Sequence, residues 1–408
     1  IDPTMQQVAE DAVRSQLDTL ALEDLSMGMV VIDPSTGYIK CMVGGYDYNA
    51  DESHVNHATA KRPVGSTFKA FTLAAAIQCG MNPNVTLNCN SPLTVKGTTT
   101  KVQNYANTSY GNISLSQATA VSSNTAYIQV ADAIGNDKII SLVKKLGIDT
   151  SDGNIEDVPV MTLGPGSISP LEMASAYATF ANGGYYRQPI AITEINSRTG
   201  SILYQHTDNP KQVLSTGEAA AVTDVLAGVM RGSGTGAAGA LSVNQPYAGK
   251  TGTTDDNTNL WFCGYTPQLA CALWTGYSAG EIPIQKYGAD LFGNQTNLPV
   301  FKKFMDTVLA GTERKEFPTG TTPTYKNNNV WKFYGASNKK EDEEDEDEEK
   351  EEEEETTTTT TTTTTTETTG GDTTGGSGSG TTGGDGGTGG DGGTPTPTPD
   401  PTPTPDPS

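Results

Sequence analysis

The chain is expected to fold as an α+β domain, with one antiparallel sheet of five strands covered by helices. Three observations predict this. Strand-like apolar runs gather at the two ends of the first 317 residues, at 27–32 and 38–43 near the start and at 247–253, 260–265 and 269–277 near the end. Tight turns join neighbouring runs, Asp33-Pro34-Ser35-Thr36-Gly37 in the first pair and Asp255-Asp256-Asn257 in the last group, which makes them antiparallel. Between the two ends the apolar residues recur at helical spacing instead.

Residues 4–20 open the chain as a helix, with Val8, Ala12, Val13, Leu17 and Leu20 on one face. A polar stretch, 47–61, separates the first hairpin from a second helix over 66–79, which Gly80 stops. That helix is apolar on nearly every side and so is expected to be buried. Residues 81–112, rich in Asn, Thr, Gly and Pro, read as irregular loops. Helices follow over 125–134, 137–146 and 170–182. A small hairpin, 190–195 with 201–204, turns at Asn196-Ser197-Arg198-Thr199-Gly200. A helix over 216–231, a flexible link over 232–239 and a last helix over 300–309 complete the domain, which is taken to end at 317. An extension, 318–340, leads to a low-complexity tail, 341–408, made of acidic, Thr, Gly and Pro runs. Such a composition cannot bury enough apolar surface to offset ordering entropy, so the tail is expected to be disordered.

The net charge of −23 belongs mostly to that tail. From Ser337 onward there are 20 acidic and 3 basic residues, which leaves −6 for the rest. No basic face argues for nucleic acid. No apolar run reaches membrane-spanning length, and no secretory leader is visible. The histidines His54, His57 and His206 lack ligand spacing, so neither a metal nor another cofactor is expected. With five cysteines at least one is unpaired. Cys79 and Cys89 flank a short loop that a disulfide could close, Cys263 and Cys271 stand on two strands of a predicted hairpin, and Cys41 reads as a small buried hydrophobe.

The chemistry centres on Arg62-Pro63-Val64-Gly65-Ser66-Thr67-Phe68-Lys69. Ser66 and Lys69, three apart, share a helix face. A serine hydroxyl needs a base to become a nucleophile. A lysine amine serves only when neutral, which burial or a neighbouring cation achieves by lowering its pKa. The helix N-terminus aims N–H groups at the reacting centre. Ser-x-x-Lys alone is weak, and Ser141-Leu142-Val143-Lys144 and Ser337-Asn338-Lys339-Lys340 match it on surface segments. Ser66 is distinguished by its lead-in and by two downstream partners. These are Ser122-Ser123-Asn124, at a connection between helices, and Lys250-Thr251-Gly252-Thr253, a strand offering a cation, two hydroxyls and a glycine that permits close approach of a ligand backbone. Each partner is plain alone: Ser242-Val243-Asn244 repeats the first, and a polar edge strand explains the second.

Ser-x-x-Lys, Ser-x-Asn and Lys-Thr-Gly in this order form the signature of penicillin-recognising serine enzymes. The chain resembles the transpeptidase domain of class A penicillin-binding proteins over about residues 1–317, also through Ile32-Asp33-Pro34-Ser35-Thr36-Gly37, Pro170-Leu171-Glu172-Met173-Ala174 and Trp261-Phe262-Cys263-Gly264-Tyr265. It departs at Asn56-His57-Ala58, where the family usually has Asn-Arg-Ala. The resemblance implies the penicillin-binding-protein/serine β-lactamase-like fold, a five-stranded antiparallel sheet with a buried helical subdomain. It implies a serine D,D-transpeptidase that cross-links peptidoglycan stem peptides ending in D-Ala-D-Ala and binds β-lactams. Ser66 would be the nucleophile, Lys69 its base, Ser122, held by Lys69 and Lys250, the relay of a proton to the leaving nitrogen, and Lys250 a cation that lowers the Lys69 pKa and attracts the terminal carboxylate. Asn124, Thr251, Gly252 and Thr253 would bind substrate, with the Ser66 and Thr253 N–H groups as oxyanion hole. In the family a membrane anchor and a glycosyltransferase domain come first, so the resemblance also implies a longer protein on the outer face of the cell membrane. A serine β-lactamase and a D,D-carboxypeptidase share the three motifs, and a non-catalytic wall-binding or drug-sensing module is the rival from another class. The β-lactamase would need a deacylating glutamate, for which only Glu156 and Glu172 stand in the middle region.

Overall fold

The computed structural model describes residues 1–46, 54–151 and 153–334. The tail and part of the polar stretch lie outside the described residues. The helices are α1 (Pro3–Leu20), α2 (Lys69–Gln78), α3 (Leu115–Ala120), α4 (Asn124–Ile134), α5 (Asn136–Lys145), α6 (Pro170–Ala181), α7 (Thr216–Val229), α8 (Gly293–Thr296) and α9 (Leu298–Val308). The central strands are β1 (Leu25–Ile32), β2 (Ile39–Val43), β3 (Ala248–Thr253), β4 (Leu260–Tyr265) and β5 (Ala270–Tyr277). They form one antiparallel sheet in the order β3-β4-β5-β1-β2. The two ends of the sequence thus meet at the β5–β1 pair, as the placement of the apolar runs predicts.

Every residue of β1 is buried, because the sheet is covered on both faces. The two-residue period of a strand sorts its side chains between two cores. Val30 and Ile32 join the core built with α2, α4, α6 and α7, whereas Met27, Met29 and Val31 join the core built with α1 and α9. The same sorting decides the cysteines of the hairpin. Cys263 pairs with Ala272 and Cys271 with Gly264, so the two thiols face opposite cores. All five cysteines are free, which also removes the Cys79–Cys89 bridge: Cys79 caps α2, and Cys89 Sγ lies 3.5 Å from Leu87 O.

Two expectations need correction. The helix at 66–79 opens as a 3-10 turn, Gly65–Phe68, before α2 begins at Lys69. The loops over 81–112 contain short paired strands, Thr86–Asn88 with Asn112–Ser114 and Leu93–Thr94 with Lys101–Val102. Beyond 317 the chain does not leave the domain at once. Phe317, Tyr325, Trp331 and Phe333 pack on the core of α2, and Lys326 N–H donates to Gly80 O at 2.8 Å. Aromatics in an aperiodic, turn-rich segment give no pattern from which that strap is predicted.

α2 is the hub of the larger core. All its residues except Gln78 are buried, and Phe71 meets Phe68, Tyr177 and Phe180 at ring-centroid distances of 5.4, 5.8 and 6.2 Å. We expect Phe71→Ala to lose about 3–5 kcal/mol of stability, read as a lower urea midpoint with unchanged slope; a loss below 1 kcal/mol would show that this cluster is not the packing centre.

Candidate active site

The site lies where the first turn of the α2 segment meets the edge strand β3. Gly65 has φ +53°, and a Cβ on it would stand 2.5 Å from Thr253 O and 3.2 Å from Thr253 N. Only glycine lets the turn approach the strand so closely. Gly252 answers from the other side, since a Cβ there would stand 2.8 Å from both Val64 O and Thr67 Cγ2. This differs from the expectation for Gly252: its bare face meets the turn that carries Ser66 rather than open space for a ligand. The backbones of Ser66 and Thr253, the two expected oxyanion donors, are thereby neighbours. Ser66 stands in the first turn, where N–H groups have no partner inside the helix. Its side chain is half-buried, at the boundary between core and solvent.

Lys69 is fully buried. Its Nζ donates to Asn124 Oδ1 at 2.6 Å and to Ser122 O at 2.7 Å, lies 3.4 Å from Ser122 Oγ, and stands 5.6 Å over the Tyr127 ring. The Ser66 hydroxyl takes no hydrogen bond among the described residues; catalytic contacts of this kind commonly tighten only when substrate is bound. Lys250, also fully buried, donates to Ser122 Oγ at 2.8 Å and to Thr251 O at 3.0 Å. One hydroxyl therefore sits within reach of both amines. Burial lowers Lys250 to about 7. On Lys69 burial acts first and the charge of Lys250 adds to it, pushing its pKa far below that of a free lysine. Burial thus pushes both amines toward the neutral form, and the repulsion between them favours loss of one proton from the pair.

Ser122 and Asn124 flank the junction of α3 and α4, as the sequence suggests. Ser122 has φ +58°, in the left-handed region. For a residue other than glycine this costs about 1–3 kcal/mol, and the surroundings must hold it there. Of the other predicted residues, Thr251 Oγ1 meets Thr235 Oγ1 at 2.7 Å, and Thr253 is half-buried at the end of the strand. All eight positions are brought to one place.

Three residues were missed. Gln103 O accepts from Asn124 Nδ2 at 2.7 Å, Asn104 holds Ser123 and Thr125, and Thr235 from the 232–239 link reaches Thr251. Each stands in a segment without periodicity, so only tertiary contact identifies it. Of the rival glutamates, Glu172 caps α6, accepting from Ser169 N at 2.9 Å and from Asp149 N at 3.1 Å, and Glu156 is exposed.

The sequence profile of the penicillin binding protein transpeptidase domain matches residues 27–305. The chain belongs to that family. It is 31% identical over 343 residues to penicillin-binding protein 2D of Bacillus subtilis, covering 80% of this chain and 47% of that protein. It is 32% identical over 345 residues to penicillin-binding protein 1A of Mycolicibacterium smegmatis, covering 79% and 42%. The chain thus spans less than half the length of these relatives. Among solved structures, the penicillin-binding protein PonA1 of Mycobacterium tuberculosis in complex with penicillin V superposes with a TM-score of 0.71 at 29% identity, covering 80% of this chain and 89% of that one. The relatives named 1A bear out the class A part of the resemblance, and the five-stranded architecture bears out the fold.

Two buried lysines make the site costly to fold. The unfolded Lys250 titrates near 10.5 and the folded one near 7, so between these values the unfolded state binds more protons and stability rises with pH. The cost is greatest below pH 7. Lys250→Met is therefore expected to raise the melting temperature most at pH 6–7, with the gain shrinking toward pH 10.5; a gain independent of pH would contradict the lowered lysine.

Proposed function

We propose that the domain is a serine acyltransferase of peptidoglycan cross-linking, acting as a D,D-transpeptidase through an acyl-enzyme on Ser66. The observation that carries this reading is the pair of buried amines sharing the Ser122 hydroxyl beside a half-exposed serine at a helix start. Neutral Lys69 takes the Ser66 proton as Oγ attacks the carbonyl carbon of the penultimate D-Ala of a stem peptide. The negative oxygen develops toward the N–H groups of Ser66 and Thr253, and one such donor is worth about 10²–10³ in rate. The tetrahedral intermediate collapses, the C–N bond breaks, and Ser122 passes a proton to the leaving nitrogen of the terminal D-Ala. Charged Lys250 with the Thr251 and Thr253 hydroxyls holds the terminal carboxylate, and Asn124 donates to the peptide backbone. An amine of a second stem then attacks the ester, forms the new amide and frees Ser66.

β3 is the edge of the sheet, so an extended peptide adds to it as a further strand through main-chain hydrogen bonds. A β-lactam places its ring amide on the same donors and acylates Ser66. No step calls for a cofactor or metal. The partners are stem peptides and β-lactams, and their place is the wall space outside the cell membrane. A β-lactamase is disfavoured because Glu172, the middle-region glutamate in a family-matching segment, is engaged in a helix cap.

Intact-mass analysis after incubation with benzylpenicillin tests the reading. We expect one long-lived adduct on the parent and none on Ser66→Ala. Lys69→Arg, which keeps the charge but cannot be neutral, should also stay unlabelled. A fleeting adduct with drug destruction would move the assignment to a β-lactamase, and undiminished labelling of folded Ser66→Ala would end it.

A further inference from the structure

We propose that Asn104 is a positioning residue that holds the turn carrying Ser122 and Asn124 in its productive form. This rests on the reading of Ser66 as nucleophile. Asn104 is 3% exposed and touches none of the reacting side chains. Its Oδ1 accepts from Ser123 Oγ at 3.1 Å, from Thr125 N at 3.1 Å and from Thr125 Oγ1 at 3.3 Å. Those two residues bracket Asn124, and Ser123 directly follows the left-handed Ser122. Its Nδ2 donates to Cys89 O at 3.0 Å and to Thr108 O at 2.9 Å, and its backbone N–H donates to Ser91 Oγ at 3.0 Å. With two carbonyls on one side and three donors on the other, the amide fits in one orientation only.

The neighbouring Gln103 completes the clamp. Its carbonyl accepts from Asn124 Nδ2 at 2.7 Å, which turns Asn124 Oδ1 toward Lys69 Nζ at 2.6 Å. Two adjacent residues from the loop region thus fix both sides of the second motif. Without Asn104, the left-handed Ser122 has lost an anchor on its C-terminal side, and a turn free to relax moves Ser122 Oγ away from both amines. Misplacement of about 1 Å costs on the order of 10²-fold in rate.

The test is the acylation rate of the parent, of Asn104→Ala and of the pair Ser123→Ala with Thr125→Val, measured with a fluorescent penicillin across pH 5–10. We expect both variants to unfold cooperatively and to acylate roughly 10- to 100-fold more slowly at the plateau. The acid limb should move to lower pH, because Lys69 loses Ser122 O and Asn124 Oδ1, which favour its ammonium form; the other groups facing that amine, Lys250 from β3 and the Tyr127 ring from α4, are unchanged. Combining all three substitutions should slow acylation by less than the product of the two separate effects, since the Ser123 and Thr125 hydroxyl contacts are common to both variants while the Thr125 N–H contact is lost only with Asn104. If Asn104→Ala does not fold, the Ser123/Thr125 pair carries the same expectation alone. A variant with a lower melting temperature but parental rate and pH profile would overturn the proposal and leave Asn104 a loop-packing amide. A parent that is never acylated would overturn it together with the reading of Ser66.

Discussion

Two lysine amines closed off from water around one serine hydroxyl are the constraint on which the rest of this structure depends. Ser122 Oγ lies 2.8 Å from Lys250 Nζ and 3.4 Å from Lys69 Nζ. Neither amine has a carboxylate partner among the described residues. Burying like charges is unfavourable, and the response open to such a pair is to lose a proton. That response gives Lys69 the neutral form that its proposed role as base requires. The stability given up at this point and the chemistry proposed for it have one cause.

The cost is met by packing elsewhere. α2 presents Lys69 from a helix that is otherwise an apolar hub, held by aromatic contacts with α6 and by packing against α4, α5 and α7. The sheet is covered on both faces, so its edge strand β3 is fixed in place while its outer edge stays available. Gly65 and Gly252 let the turn and the strand touch backbone to backbone. A methyl group at either position would push apart the two peptide segments proposed to bind the oxyanion.

The polar half of the site is built differently. Ser122 and Asn124 stand on a junction between helices, where no regular ladder of hydrogen bonds holds the chain. Buried amide contacts take over that role, with Gln103 and Asn104 reaching in from a loop region that short strand pairs stiffen. The strap beyond 317 closes the same core at the end of α2.

The sequence by itself determined the α+β class, the strands that form the sheet, the buried helix, and the eight residues that meet at the site. Periodicity marks elements that bury one face, and the three motifs mark side chains whose chemistry is unusual in a core. Tertiary structure alone decided the rest. That Gly252 faces the Ser66 turn depends on which side of β3 meets α2. That Cys263 and Cys271 stay apart depends on strand register, since neighbours one step out of register face opposite cores. That Gln103, Asn104 and Thr235 belong to the site depends on contacts between segments far apart in the chain. A hydrogen bond is specific to distance and direction, and neither quantity is written in the local pattern of residues that the fold later brings together.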